Sequence, residues 1–304
     1  MCGIAGILNY DRQNGAPTDV LDRMLISILH RGPDGAGRLV DHELAMGMRR
    51  LSIIDLVDGN QPMFDCTGRY GLVFNGEIYN YRELRKDLEH RGHKLSTHSD
   101  TEVIIHLYEE LGPECVHQLR GMFAFSIWDN KERELFIARD RLGIKPLYYT
   151  EKNGCFTFAS EIKALLDHPA VNANLDYRSL SQYLSLKYVP SPGTMFAGIR
   201  SLEPGHSLHV RNGQAETSRY WDISFKKNKP IKTDEEYTEE LLHLLRESVK
   251  LRLRSDVPFG AFLSGGLDSS IIVALMAEVM EEPVKTFSVG FNQAGYQDEL
   301  FYVQ

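Results

Sequence analysis

A chain of 304 residues is longer than one average domain and has ample length to bury a core, which favours two domains. Its apolar fraction of 42% and charged fraction of 25% are those of a globular protein and exclude wholesale disorder or a collagen-like architecture. The formal net charge of −8 is spread along the chain, so neither nucleic acid nor an anionic membrane surface is an expected partner.

No stretch approaches the roughly 20 apolar residues of a membrane span, and the N-terminus MCGIAGILNYDR has neither a basic leader nor a cleavage site, so a cytoplasmic location is expected. Cys2, Cys66, Cys115 and Cys155 are far apart and form no C-x-x-C pair, and there is no H-E-x-x-H. Neither a disulfide framework nor a metal site is expected. The 11 histidines show no ligand spacing and none is assigned a role.

In chain order, short β-type runs broken by Gly, Asn and Asp fall at residues 3–8, 44–54, 71–74, 123–128, 135–138 and 155–159, with a last pair around 206–210 and 220–221. Apolar residues at helical spacing mark 20–29, 81–91, 101–111 and 180–186. Sheets covered by helices, an α+β arrangement, follow from this alternation. Residues 225–233 turn polar, with the densest basic run at 226–229, and read as a linker. Thr233 and Glu236 then make a capping-box pattern for a helix reaching about residue 253, with Tyr237, Leu241, Leu245 and Val249 on one face as core packing. An apolar run at 257–263, a small-residue turn, a helix at 271–280 and a second apolar run at 284–291 make one β-loop-α-β unit. A buried parallel pair needs further strands and helices to cover it, so this second domain is expected to be incomplete.

Three features carry chemistry. Cys2, followed by the small Gly3, would carry a free α-amine once Met1 is removed. Such an amine titrates near ~7.7–8.0 and could take the proton of a thiol that titrates near ~8.5, putting nucleophile and base in one residue. A lone cysteine at this position is by default a plain strand residue. Asn75-Gly76 offers an amide donor and an unobstructed N–H for an oxyanion, although N-G alone commonly marks a hairpin turn. Ser264-Gly265-Gly266-Leu267-Asp268-Ser269-Ser270, between an apolar run and a helix, suits a phosphate at a helix N-terminus, or is a plain turn. It has neither the spacing nor the lysine of a Walker A loop.

The motifs MCGIAG, HRGPD (30–34), RRLSIID (49–55), NGEIYN (75–80), SDTE (99–102) and RDRLGIKPLYY (139–149) together resemble the class II glutamine amidotransferases over most of residues 2–222. That resemblance implies a four-layer αββα N-terminal-nucleophile sandwich. It implies Cys2 as nucleophile, Asn75 and Gly76 as oxyanion hole, Arg50 on the glutamine α-carboxylate and Asp100 on the α-ammonium, with Leu51, Ser52, Ile53, Ile54 and Glu77 completing the pocket. Arg49 and Arg50 could instead be solvated strand residues, and Asp100 could cap the helix beginning at Thr101. The S-G-G-x-D-S order resembles the pyrophosphate loop of ATP pyrophosphatases, opening an α/β parallel-sheet nucleotide-binding domain in residues 223–304. By that likeness Leu263, the loop and Val289 contact ATP.

The pairing resembles the glutamine-using, B-type asparagine synthetase family. It implies glutamine, aspartate and ATP with Mg2+ as small-molecule partners, no prosthetic group, β-aspartyl-AMP as the activated acceptor, and ammonia delivered through an internal tunnel to give asparagine, AMP and pyrophosphate. It leaves a homodimer open. Glutamine hydrolysis is the activity expected of this chain alone. Two other readings stand beside it: another class II amidotransferase with a different acceptor, and a non-catalytic glutamine-binding module.

Overall fold

The computed structural model describes residues 2–11, 15–225 and 231–290; Met1, the basic run at 226–229 and the last residue of the run at 284–291 lie outside the described residues. The chain divides into two compact units, Met1–Ile223 and Ser224–Gln304.

The first unit begins with β1 (Gly3–Asn9), α1 (Thr18–Ser27), β2 (Gly35–Asp41), β3 (Leu44–Arg50), β4 (Met63–Phe64) and β5 (Tyr70–Ile78). Next come α2 (Tyr81–His90), α3 (Glu102–Leu111), β6 (Gly121–Asp129), β7 (Glu134–Arg139), β8 (Tyr148–Lys152) and β9 (Cys155–Ala159). It closes with α4 (Ile162–Leu166), α5 (Tyr177–Leu186), β10 (Arg200–Ser201), β11 (His206–Arg211) and β12 (Gln214–Arg219). The strands form two antiparallel sheets, in the orders β10-β8-β9-β1-β3-β2 and β12-β11-β7-β6-β5-β4.

Side chains alternate between the two faces of a strand, and here both faces are covered. Ile4 and Leu8 of β1 meet Val73 of β5, Ala124 and Trp128 of β6 and Ile137 of β7 in a core between the sheets. The opposite face of β1, Ala5 and Ile7, packs on α1 and α4. The opposite face of the second sheet, including Phe74, Phe123, Phe125 and Ile127, packs on α2 and α3. The result is the four-layer αββα sandwich expected from the resemblance. Burial on both faces also explains why residues 123–128 read as a continuous apolar run rather than the alternation typical of antiparallel sheets with one wet face. Gly6 is fixed by this packing, since a Cβ there would lie 2.3 Å from the Phe158 ring.

Several expected bounds shift. The run at 44–54 is a strand only to Arg50; residues 51–54 form a loop. The run at 71–74 extends through Asn75-Gly76-Glu77 to Ile78, so this Asn-Gly pair sits inside a strand and is no hairpin turn. The partner of β11 is β12 (Gln214–Arg219) rather than a strand at 220–221. β2 and β8, which sequence reading missed, are central to the first sheet's pairing.

In the second unit, α6 (Asp234–Arg252) starts at the expected capping box: Thr233 N–H donates to Glu236 at 2.8 Å, and Glu236 N–H donates back to the Thr233 hydroxyl at 3.3 Å. Its apolar stripe is only partly core: Leu245 and Val249 pack against Leu275 and Met276, whereas Tyr237 and Leu241 are exposed. β13 (Ala261–Phe262), α7 (Leu267–Val279) and β14 (Thr286–Phe287) form the β-loop-α-β unit, with the two strands parallel as expected. Both strands are shorter than their apolar runs, and α7 begins at Leu267 instead of residue 271. No helix among the described residues is long and apolar enough to cross a membrane.

Candidate active site

The period-two rule places Cys2 on the same side of its strand as Ile4, facing the layer between the sheets, where it packs against that core. Gly3 pairs with Arg49 across β1 and β3, which sets Cys2 beside Leu51. Leu51 N–H donates to Sγ at 3.3 Å, and Sγ lies 3.5 Å from the Leu51 carbonyl. Arg31 Nε donates to the Cys2 carbonyl at 2.8 Å and its Nη1 pairs with Glu161 at 2.9 Å, so the residue is held from both sides. Burial pushes the Cys2 thiol up from its ordinary value, and Leu51 N–H, Lys145 and Arg50 pull against that rise.

Cys2 opens into a cavity of about 160 Å³, the scale of one small molecule. Its walls bring together Arg50, Leu51, Ile53, Ile54, Asn75, Gly76, Glu77 and Asp100, residues from four separate stretches of sequence. Ser52 is the expected residue that does not line it; its N–H instead donates to Asp34 at 2.9 Å.

Asn75 comes from the opposite sheet and faces the same interlayer space. It is fully buried, and neither its Oδ1 nor its Nδ2 has a hydrogen-bond partner. A buried unpaired amide is unfavourable by about 1–3 kcal/mol, so its retention calls for a reason outside folding. The backbone beside it is similarly arranged. Along β5, N–H groups point alternately to the two edges. Tyr79 N–H reaches Arg120 on the β6 side at 2.8 Å, whereas Phe74 N–H goes to Gln61 Oε1 at 2.7 Å and Ile78 N–H to Asp100 Oδ2 at 2.9 Å on the other edge. Gly76 lies between those two and shares their direction, so its N–H faces the cavity. Its lack of a side chain has a different cause from the unobstructed N–H expected: a Cβ would lie 2.2 Å from the Met122 carbonyl of β6.

Arg50 is buried, and its guanidinium bonds neutral oxygens: Asn60 Oδ1 at 3.2 Å, the Ile54 carbonyl at 3.3 Å, and the Asp55 carbonyl. Gly59 makes this possible, because a Cβ there would lie 2.4 Å from Arg50 Nη2. The alternative of a solvated strand residue is thereby removed for Arg50. Asp55 fastens the loop after β3 to the loop before α3, accepting Asp58 N–H at 2.9 Å and His98 N–H at 2.8 Å. Burial alone would raise its pKa, but these bonds outweigh burial and hold it below the usual carboxylate value.

Asp100 sits on that second loop. Thr101, not Asp100, occupies the N-cap position of α3. Burial pushes the Asp100 carboxyl up to about 7, against the Ile78 N–H and with help from neighbouring Glu77. Unfolded, it titrates near ~3.9. Between those values the folded protein holds a proton that the unfolded chain has released, so this group's contribution to stability is present at low pH and is lost as pH rises through about 7.

Lys145 and Gln61 also line the cavity and were missed as site residues. Lys145 is buried and burial pulls its pKa down, with Glu77 and Cys2 opposing. The available signal was its place in the motif at 139–149, which served only as a family marker.

In the second unit, Gly265 has φ +87°, in the left-handed region that favours glycine, and Gly266 is the N-cap of α7. Ser264 and Ser269 hydroxyls lie 3.1 Å apart, and Ser270 Oγ donates to the Gly266 carbonyl at 2.9 Å. Leu263 N–H donates to the Phe287 carbonyl at 2.9 Å, bringing the loop beside the strand that leads to the exposed Val289. Leu267 and Asp268 open the helix itself, so the small-residue turn is in fact a loop entering a helix N-terminus.

The glutamine amidotransferase domain family matches residues 1–221, and the asparagine synthase family matches residues 240–304. The chain is 43% identical over 303 residues to asparagine synthetase [glutamine-hydrolyzing] 1 of Bacillus subtilis, covering 98% of this chain and 47% of that protein. It is 40% identical over 303 residues to asparagine synthetase [glutamine-hydrolyzing] 3 of the same organism, covering 96% and 48%. It thus spans about half the length of these curated relatives. Among solved structures, a glutamine phosphoribosylpyrophosphate amidotransferase from B. subtilis shares the fold at TM-score 0.54 and 20% identity, over 97% of this chain and 67% of that one. The order of motifs, the layered fold and these matches agree: the chain belongs to the glutamine amidotransferase domain family, in the branch where that domain is followed by an asparagine synthase domain.

Proposed function

We propose that the first unit hydrolyses glutamine to glutamate and ammonia at Cys2. The observation that carries this is one cavity holding a thiol, an unpartnered buried amide, a guanidinium bonded only to neutral oxygens and a carboxyl poised near neutrality. With Met1 removed, the α-amine of Cys2 takes the thiol proton, directly or through a water. The thiolate attacks the side-chain amide carbon, and the oxygen that gains the electron pair is met by Asn75 Nδ2 and Gly76 N–H. Collapse breaks the C–N bond, the departing nitrogen takes the proton from the α-ammonium, and ammonia leaves a thioester on Sγ. Water then attacks the thioester and restores the thiol.

Arg50 holds the α-carboxylate, for which a planar guanidinium is suited. Asp100 receives the α-ammonium. Since a neutral carboxyl cannot pair a cation, the KM for glutamine is expected to rise as pH falls below about 7. Asp100→Asn should raise KM and remove that dependence; a parent profile flat between pH values one unit either side of about 7 would count against the role.

The second unit is read as the opening of the synthetase half. Leu263, Ser264, Gly265, Gly266, Leu267, Asp268, Ser269, Ser270 and Val289 would hold MgATP. The glycines and the α7 N-terminus present backbone N–H groups to phosphate oxygens, which fits an anion. In the full-length protein the nucleotide activates the aspartate β-carboxylate as β-aspartyl-AMP, and ammonia displaces AMP to give asparagine, with pyrophosphate released at activation. This chemistry calls for no prosthetic group.

A Cys-directed glutamine analogue, read by intact mass, tests the glutaminase. A single adduct on a chain lacking Met1, mapped to Cys2, is expected; a chain that keeps Met1 and stays unlabelled would overturn the mechanism.

A further inference from the structure

Outside the glutamine pocket, His93, which follows α2, meets His106 and Glu109 of α3. We propose that these three residues form a binding site for a divalent transition-metal ion of the zinc class.

The three ligand atoms converge. His93 Nδ1 lies 3.2 Å from His106 Nδ1 and 3.7 Å from Glu109 Oε2, and His106 Nδ1 lies 2.6 Å from the same oxygen. Ligands about 2.0–2.1 Å from a tetrahedral zinc stand roughly 3.3–3.4 Å apart, so two of the three edges need almost no adjustment. The third opens when Glu109, an exposed-end carboxylate on a flexible stem, turns slightly. Imidazole with carboxylate is a donor set that suits zinc, and the fourth position is left for water.

The far side of each ring strengthens the assignment. His93 Nε2 lies 2.7 Å from Glu110 Oε1, and His106 Nε2 lies 3.9 Å from Glu102 Oε1. A carboxylate behind each ring favours the Nε2–H tautomer and leaves the Nδ1 lone pair for a metal, the arrangement that orients metal-bound histidines. Two Nδ1 atoms at 3.2 Å cannot both carry protons, and one proton serves only one of the three contacts at a time. A dication serves all three at once, and its binding releases to solvent whatever Nδ1 proton the pair holds. Glu102 also accepts Ser96 N–H at 2.6 Å and Thr97 N–H at 2.9 Å, so the ion would brace the loop that leads to Asp100. The histidines are thirteen positions apart, across a loop, which hides the site from any motif of fixed spacing.

The test is equilibrium binding of Zn2+ to the metal-free full chain, compared with His93→Ala and with Glu110→Gln. The parent is expected to bind one equivalent more than His93→Ala, and Glu110→Gln to weaken that equivalent by roughly 10–100-fold. With Co2+ the same equivalent should give tetrahedral bands without a thiolate charge-transfer band. Equal stoichiometry in parent and His93→Ala overturns the proposal. So does loss of the equivalent in Cys66→Ser instead, which would put the ion on the neighbouring Asp65, Cys66 and Glu109 group. If His93→Ala fails to fold, unchanged affinity in Glu110→Gln overturns it.

Discussion

Replacing Cys2 by alanine is expected to lower glutamine hydrolysis by at least about 10⁴-fold, the scale on which loss of a nucleophile acts. Nothing else among the cavity residues can form the thioester: Lys145 is held as a buried cation and the oxygens of Ser99 and Thr101 have no adjacent base placed to activate them. The fold should survive, because Sγ makes only two contacts with Leu51 at the edge of the inter-sheet core, and the change in stability should stay within about 1 kcal/mol. Glutamine should still bind, since Arg50 and Asp100 are untouched. The informative pair of measurements is therefore ammonia release and calorimetric affinity for glutamine on the same sample. Turnover by the alanine variant at the parent's rate would sink the assignment.

Asn75→Ala separates catalysis from stability. Loss of one oxyanion donor should lower kcat by about 10²–10³-fold, or about 2.7–4 kcal/mol of barrier, with little effect on KM. Most core substitutions also destabilise, but this one removes a side chain whose two polar atoms are buried and unpaired in the absence of ligand. Thermal unfolding should therefore occur at the same temperature or higher, as expected where a site is built at the expense of the resting fold. A large drop in unfolding temperature would mean that Asn75 is a structural residue, and the loss of rate would then say nothing about an oxyanion.

The sequence and the structure agree best where residue type alone constrains chemistry. Cys2, Arg50, Asn75, Gly76 and Asp100 lie in four distant stretches, yet each belongs to a short motif, and they meet in one cavity. Lys145 and Gln61 escaped because nothing local distinguishes a buried lysine or a glutamine that caps a strand N–H from their solvated counterparts; only the tertiary fold does so. The same limit governs strand bounds. β5 was cut short at Phe74 because Asn and Gly weaken strand patterns, whereas pairing with β6 carries it on to Ile78. β2, with its glycines and arginine, is a poor strand by composition and owes its state to its full register with β3. Apolar runs at 257–263 and 284–291 promised long strands, but only two residues of each pair.

A sheet margin with open amide groups invites pairing with a stray strand from another chain. Here β4 covers only Gly71 and Leu72, and the remainder of that margin of β5 is guarded by a glutamine and an aspartate, with one glycine left vacant between them. Recognition of a ligand and protection from misassembly thus draw on the same row of amides. A single residue inserted between Phe74 and Ile78 would reverse which amides face outward beyond it, unseating the guard and erasing the ligand's docking point in one step.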